Sequence, residues 1–185
     1  MPKAIRYFLL FLLLLFLLRG PLFRLCVQYV CTEERAIPVA TNASLRAEVL
    51  AAAQQLPADD GLAWAYYAQD FTAKQLKFRP SANQAHPDEA YESGQAHCVG
   101  YAALMAAVLR IIQQEKRKTG HEPLVRVTQC RGDLYLFGCL RLTGPQRPPF
   151  FRDHDYVKVE LLAAQTSFLF DPSVYDYLWI KRVAD

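Results

Sequence analysis

Cys98, in the stretch Gly94-Gln95-Ala96-His97-Cys98-Val99-Gly100-Tyr101-Ala102, stands where a turn meets a predicted helix. A thiol at a helix N-terminus feels the positive end of the helix dipole, which favours the nucleophilic thiolate. His154 follows 56 residues later and Asp171 another 17 residues on, each in a segment that reads as a strand or a strand end. A thiolate nucleophile needs a base within hydrogen-bond reach, and the base needs an acceptor that fixes its tautomer. Cys98, His154 and Asp171 are the three residue types that this chemistry requires. The backbone N–H of Cys98, at the helix start, is a ready oxyanion donor. Gln95 is the candidate for a second donor through its side-chain amide, with Asn83 or Gln84 as comparable alternatives. His97 reads as a capping or surface residue. His97 and Cys98 lack further ligands at zinc-site spacing, so no metal and no cofactor is expected.

The elements that must position these residues run from helices to strands. Asn42 or Ser44 caps a helix with Leu45, Val49, Ala52 and Leu56 on one face. Asp59-Asp60-Gly61 breaks it and caps a second helix striped by Trp64, Ala68 and Phe71, which Arg79-Pro80 ends. A short helical turn is expected around Asp88 to Tyr91. The central helix starts at Cys98, buries Cys98, Ala102, Met105, Leu109 and Ile112, and closes at Gly120. Leu124 to Cys130 and Leu134 to Leu142 then read as a hairpin turning at Arg131-Gly132-Asp133. Pro145 to Phe151 reads as a loop beside or over the cleft, because its three prolines bar it from a ladder. His154 to Leu161 and Ser167 to Phe170 are further strands. In the first of these, Asp155, Val157, Val159 and Leu161 form the more apolar face, expected to fill the core. This order implies an α+β domain whose central Cys-bearing helix packs on an antiparallel sheet.

Gly94 to Ala103, Asp153-His154-Asp155-Tyr156-Val157-Lys158-Val159 and Phe170-Asp171-Pro172-Ser173 together resemble the core of the transglutaminase-like cysteine-enzyme superfamily, which shares its plan with papain-like peptidases. The resemblance covers roughly residues 60 to 175. It implies a transglutaminase-like or papain-like fold with Cys98 as nucleophile, His154 as general base and acid, and Asp171 as the orienting carboxylate. Tyr156 stands where the family usually has Trp, and Lys158 where Glu is frequent. The acidic calcium-binding residues of animal transglutaminases are not visible, so calcium dependence is not implied.

The N-terminus differs from the rest. Lys3 and Arg6 precede twelve uncharged residues, Tyr7 to Leu18, followed by Arg19-Gly20-Pro21. A basic start and such an apolar run fit a secretory signal, but no small-x-small cleavage pattern follows, which favours an uncleaved signal-anchor over a cleaved peptide. Twelve residues fall short of the roughly twenty a spanning helix needs, although arginine snorkelling and an interfacial extension from Leu22 to Val30 would lengthen it. Residues 1–31 are thus read as signal-anchor or signal peptide with an interfacial extension, 32–41 as a linker, and 42–185 as the domain. The basic residues nearly balance across the run and decide little about topology; the signal-like start favours a membrane-associated protein with its domain outside the cytoplasm.

Five cysteines leave at least one thiol free in an oxidising compartment. Cys26 with Cys31 could bridge locally. Cys130 with Cys139 could do so across the hairpin, although a tight turn at Gly132-Asp133 would put Tyr135 opposite Cys130. Cys98 is expected to be unpaired. A net charge of +3 without a dense basic stripe argues against a nucleic-acid partner. The expectation is a membrane-anchored or exported cysteine hydrolase or acyltransferase acting on a peptide, protein or amide through a thioester acyl-enzyme. The rival is a catalytically inactive module of the same fold that binds peptide or polysaccharide. A thiol–disulfide protein is disfavoured by the absence of Cys-x-x-Cys.

Overall fold

The computed structural model describes residues 3–81, 84–144, 146–147, 152 and 154–184. Asn83, Asp153 and most of the loop from Pro145 to Phe151 therefore lie outside the described residues. The chain is an α+β protein built around one long helix. Two N-terminal helices, α1 (Lys3–Leu17) and α2 (Arg19–Cys26), lead into strand β1 (Val27–Arg35). Helices α3 (Ala43–Gln55) and α4 (Gly61–Gln75), strand β2 (Lys77–Phe78), helix α5 (Pro87–Ser93) and strand β3 (Gln95–Ala96) follow. The central helix α6 (Cys98–Lys118) precedes β4 (Val125–Leu136), β5 (Leu140–Arg141), β6 (His154–Leu161), β7 (Thr166–Phe170) and α7 (Pro172–Leu178).

The helix starts follow their capping chemistry. Asn42 Oδ1 accepts from the Leu45 amide at 2.9 Å, and Asp60 Oδ1 from the Ala63 amide at 2.9 Å. Beyond the single expected stripe, α6 is buried on every side from Gly100 to Leu109. It packs against β4 and β6 on one side and against α3, α4, α5 and α7 on the others. Ala102, Ala103, Ala106 and Ala107 are small enough to let those neighbours approach together. Lys116 to Lys118 lie in its last turn, where cations meet the negative end of the dipole.

The main sheet is antiparallel in the order β1-β4-β6-β7, with β5 pairing the end of β4. Val157 and Val159 are fully buried in the core against α6, as the alternation of β6 predicts. Three expectations are corrected here. Residues 27–35 are not an interfacial extension and linker: they form the edge strand β1, which pairs with β4 from Val27↔Leu136 to Arg35↔Gln129. The alternation of Val27 and Tyr29 with exposed Gln28 and Val30 is the physical cause, a period of two that favours a half-buried strand. Arg131-Gly132-Asp133 is not a turn, because β4 runs unbroken through it and the chain reverses at residues 137–139. Gly132 serves close approach: a Cβ there would lie 2.4 Å from the Val30 carbonyl oxygen and 2.8 Å from Tyr156 Cε1. Finally, neither Cys26–Cys31 nor Cys130–Cys139 is bridged; Cys31 pairs with Cys130, their Cα atoms 5.4 Å apart across β1 and β4. Cys26, Cys98 and Cys139 are free.

Among the described residues no single helix is long and apolar enough to cross a membrane; α1 and α2 would reach that length together but are bent by 64°. Pro21 explains the break, since its ring would collide with the carbonyl four residues back, at Leu17, where α1 ends. Arg19 stabilises the bend rather than lengthening the apolar run. Its Nη1 donates to the Phe16 carbonyl and its Nε to the Leu178 carbonyl, each at 2.8 Å.

The disulfide closes a separation of 99 residues and ties β1 to the sheet. Cross-links of that span stabilise by restricting the unfolded chain. Replacing Cys31 and Cys130 by serine is expected to cost about 2–5 kcal/mol, measured by denaturant unfolding.

Candidate active site

Sheet register collects the site on one face. Gly132 pairs with His154, Cys130 with Tyr156, and Val157 with Phe170, so Asp171 emerges from β7 beside Tyr156. His154 and Tyr156 share the face of β6 opposite to Val157 and Val159. That face was expected to be the more polar one, yet Tyr156 is buried because Tyr29 covers it, edge to face at 5.0 Å.

Asp171 combines two roles. As the N-cap of α7, its Oδ1 accepts from the amides of Ser173 and Val174, each at 3.1 Å, and from Ser173 Oγ at 2.6 Å. Its Oδ2 accepts from His154 Nε2 at 2.5 Å and from the Tyr29 hydroxyl at 2.9 Å. Helix α7 is itself held by Tyr101, whose hydroxyl donates to Asp176 at 2.8 Å, and by Tyr175, which donates to Asp70. Burial would raise the Asp171 pKa, but the His154 charge and these hydrogen bonds hold it below the usual carboxylate range.

His154 Nε2 is committed to Asp171, and the ring also lies close enough to the Cys98 thiol for the two groups to shift each other's protonation. Burial works against the imidazolium, yet the Asp171 charge and the bonds to Asp171 and Cys98 raise its pKa well above the ordinary histidine value. The Cys98 thiol, only 7% exposed, is pushed up by burial. Hydrogen bonds from His154 and His97, the His154 charge and a bond from the Asp155 backbone amide outweigh burial and bring it down to about 7. The arrangement brings a thiol whose ionised form is favoured against burial beside an imidazole whose charged form is favoured, backed by a buried carboxylate.

Of the two roles expected for His97, capping or surface, the structure shows the first. The residue is the N-cap of α6, its Nδ1 accepting from the Val99 amide at 3.0 Å, and it also bonds the thiol. Gln95 is held elsewhere: it lies in β3, where its Oε1 accepts from Arg79 Nη1 at 2.7 Å. Gln84 runs against the first turn of α6, its carbonyl oxygen 2.4 Å from where a Cβ on Gly100 would stand, and its Oε1 is buried without a hydrogen-bond partner among the described residues. Asp155, the other acid of the histidine motif, faces away from the site and pairs with Arg35 Nε at 2.9 Å and Gln129 Nε2 at 2.8 Å.

Tyr29 is the residue that sequence reasoning missed. The signal was the alternation of Val27 to Val30, masked by the apolar run before it. A cavity of about 430 Å³ opens beside Tyr29 and His154, between α2, β1, β4 and α7. Among the described residues no group of three or more His, Cys, Asp or Glu side chains is arranged to hold a metal ion. No protein-family model matches the sequence, and no curated protein is significantly similar to it.

Two outcomes test these electrostatics. Iodoacetamide labelling of Cys98, followed by peptide mass, is expected to be half-maximal near pH 7. In His154→Ala, where burial is opposed by fewer donors, it should move to roughly pH 8.5 or above. Tyr29→Phe removes one donor from Asp171 and concentrates its charge on His154. The alkaline limb of Cys98 reactivity, where the imidazolium loses its proton, should therefore shift to higher pH in that variant.

Proposed function

We propose that this protein is a cysteine hydrolase of the transglutaminase-like class, acting through a thioester acyl-enzyme. The observation that carries this reading is His154 bonded to Asp171 at 2.5 Å while interacting with the buried Cys98 thiol at the start of α6. Cys98 Sγ attacks the carbonyl carbon of an ester or amide, and the carbonyl π electrons move onto oxygen. The backbone N–H of Cys98, which lacks an intrahelical acceptor, stabilises that oxyanion. Gln84, whose backbone packs on the first turn of α6, and Gln95 are the candidates for a second donor. Collapse of the intermediate breaks the C–O or C–N bond, and the leaving group takes its proton from the His154 imidazolium. Neutral His154 then draws a proton from water, whose oxygen attacks the thioester and returns the Cys98 thiolate. An amine in place of water would make the same site an acyltransferase.

The exposed apolar surface of α1, with Leu9 to Leu18 each at least 40% accessible, supports attachment of the chain to a lipid surface. The Cys31–Cys130 bridge supports a domain on the oxidising side of that surface.

With p-nitrophenyl acetate, the full-length protein is expected to release a burst of nitrophenolate equal to the enzyme concentration. Cys98→Ala should abolish the burst, and His154→Ala should slow it by about 10²-fold or more. A burst that persists in Cys98→Ala overturns the assignment.

A further inference from the structure

The cavity beside His154 differs from a peptide-binding cleft in what its walls can offer. Most of the lining is hydrocarbon, from Phe23 and Val27 at the α2–β1 junction, Phe78, Leu134 and Leu142, and Leu178 of α7. Among the described residues the polar side chains that reach it are Tyr29, Thr143, His154, Ser173 and Tyr177, and each is already engaged within the protein. Tyr29 and His154 bond Asp171 Oδ2, and Ser173 Oγ bonds Asp171 Oδ1. Thr143 Oγ1 donates to Asp133 and accepts from the Leu134 amide; the Tyr177 hydroxyl donates to the Phe78 carbonyl. Among the described residues these hydroxyls have their donor hydrogens committed, so a peptide or sugar entering here would lose its water and find few side-chain donors, a penalty that selects against it. A hydrocarbon chain pays no such penalty, and about 430 Å³ is within the size range of small-molecule sites.

Position adds a source for that chain. Leu178, which lines the cavity, accepts through its carbonyl from Arg19, the first residue of α2 at the bend from α1. Trp179, 59% exposed, meets Phe16 of α1 edge to face at 6.3 Å. The cavity wall is thus continuous with an apolar helix that has almost no protein cover, and its rim carries Tyr177 and Trp179, the ring types that settle at lipid–water boundaries.

We propose that the cavity receives the hydrocarbon chain of a long-chain acyl ester drawn from a lipid surface, and that the acyl group passes to Cys98. The inference rests on Cys98 being the acyl-accepting nucleophile. The S–C bond forms as the ester C–O bond breaks; the alcohol leaves with the His154 proton, and water releases a fatty acid.

The test uses the full chain in discs of non-hydrolysable ether phospholipid. N-methyl and N-decyl iodoacetamide are compared by their rates at Cys98, each normalised to the exposed thiol of Cys139, which corrects for partition into the bilayer. The decyl probe should favour Cys98 by about tenfold or more over the methyl probe, and Leu142→Trp, which fills the cavity, should erase the preference. Equal rates, or a preference that survives Leu142→Trp, overturn the proposal. If neither probe labels Cys98 faster than Cys139 at pH 7, it is the nucleophile assignment that fails instead. Decanoyl glycerol ester and an N-decanoyl dipeptide are then offered in the same discs, and decanoylated Cys98 is read by mass after acid quench. Faster acylation by the ester supports the lipid source; faster acylation by the N-acyl dipeptide overturns it.

Discussion

The Asp171 carboxylate is the point on which the rest of the site depends. A buried carboxylate without partners would take up a proton and lose its ability to hold an imidazolium. Here it accepts five hydrogen bonds, three through Oδ1 from the start of α7 and two through Oδ2 from His154 and Tyr29. The donors come from β1, β6 and α7, so the charge can persist only when all three have docked. The two oxygens divide the work: Oδ1 terminates a helix, and Oδ2 fixes the His154 ring. The capping role fixes the carboxylate plane, which is what makes the second role directional.

The N-terminal strand is therefore part of the site rather than a tether to it. β1 carries Tyr29 to Asp171 and lays its ring on Tyr156 and His154, with centroids 5.0 Å and 6.0 Å away. That approach is possible because Gly132, between β1 and His154 in the register, leaves no side chain in the way. Two residues beyond Tyr29, the Cys31–Cys130 bridge fastens β1 to β4. An edge strand held by one neighbour would otherwise be the first element to fray.

Much of this was legible in the sequence because it is local. The caps at Asn42 and Asp60, the α6 start at Cys98 and the alternation of β6 each depend on a few adjacent residues. The order Cys98, His154, Asp171 was legible for the same reason, since each lies at the end of an element with a clear period. What was hidden depends on long-range pairing. Gly132 has the composition of a turn residue, and only the neighbouring strands reveal that its missing side chain serves packing. Tyr29 and Cys31 follow an apolar run, and their partners are 142 and 99 residues away. No periodicity encodes such a partner. Gln95 was singled out by its proximity to Cys98 in sequence, but the parallel pairing of Lys77–Phe78 with Gln95–Ala96 places it beside Arg79.

The reactivity of Cys98 follows from opposing effects of similar size. Burial disfavours the thiolate, while His154, His97 and the Asp155 amide favour it, and the balance falls at about 7. Stronger stabilisation would give more thiolate but a weaker nucleophile, because intrinsic nucleophilicity falls as the thiol pKa falls; the best attacking thiol has a pKa near the ambient pH. Burial is thus part of the tuning and not merely a cost to be offset. The same low-polarity surroundings strengthen the His154–Asp171 interaction, since charges attract more strongly away from water. On the proposed reading, walls of hydrocarbon on the side of His154 would keep both effects in place as a substrate bound, provided the bound group were itself apolar. A polar occupant would bring water with it, weaken the ion pair and raise the barrier to attack. On the proposed reading, the chemistry at Cys98 and the apolar character of the cavity are in this sense one requirement met by two parts of the fold.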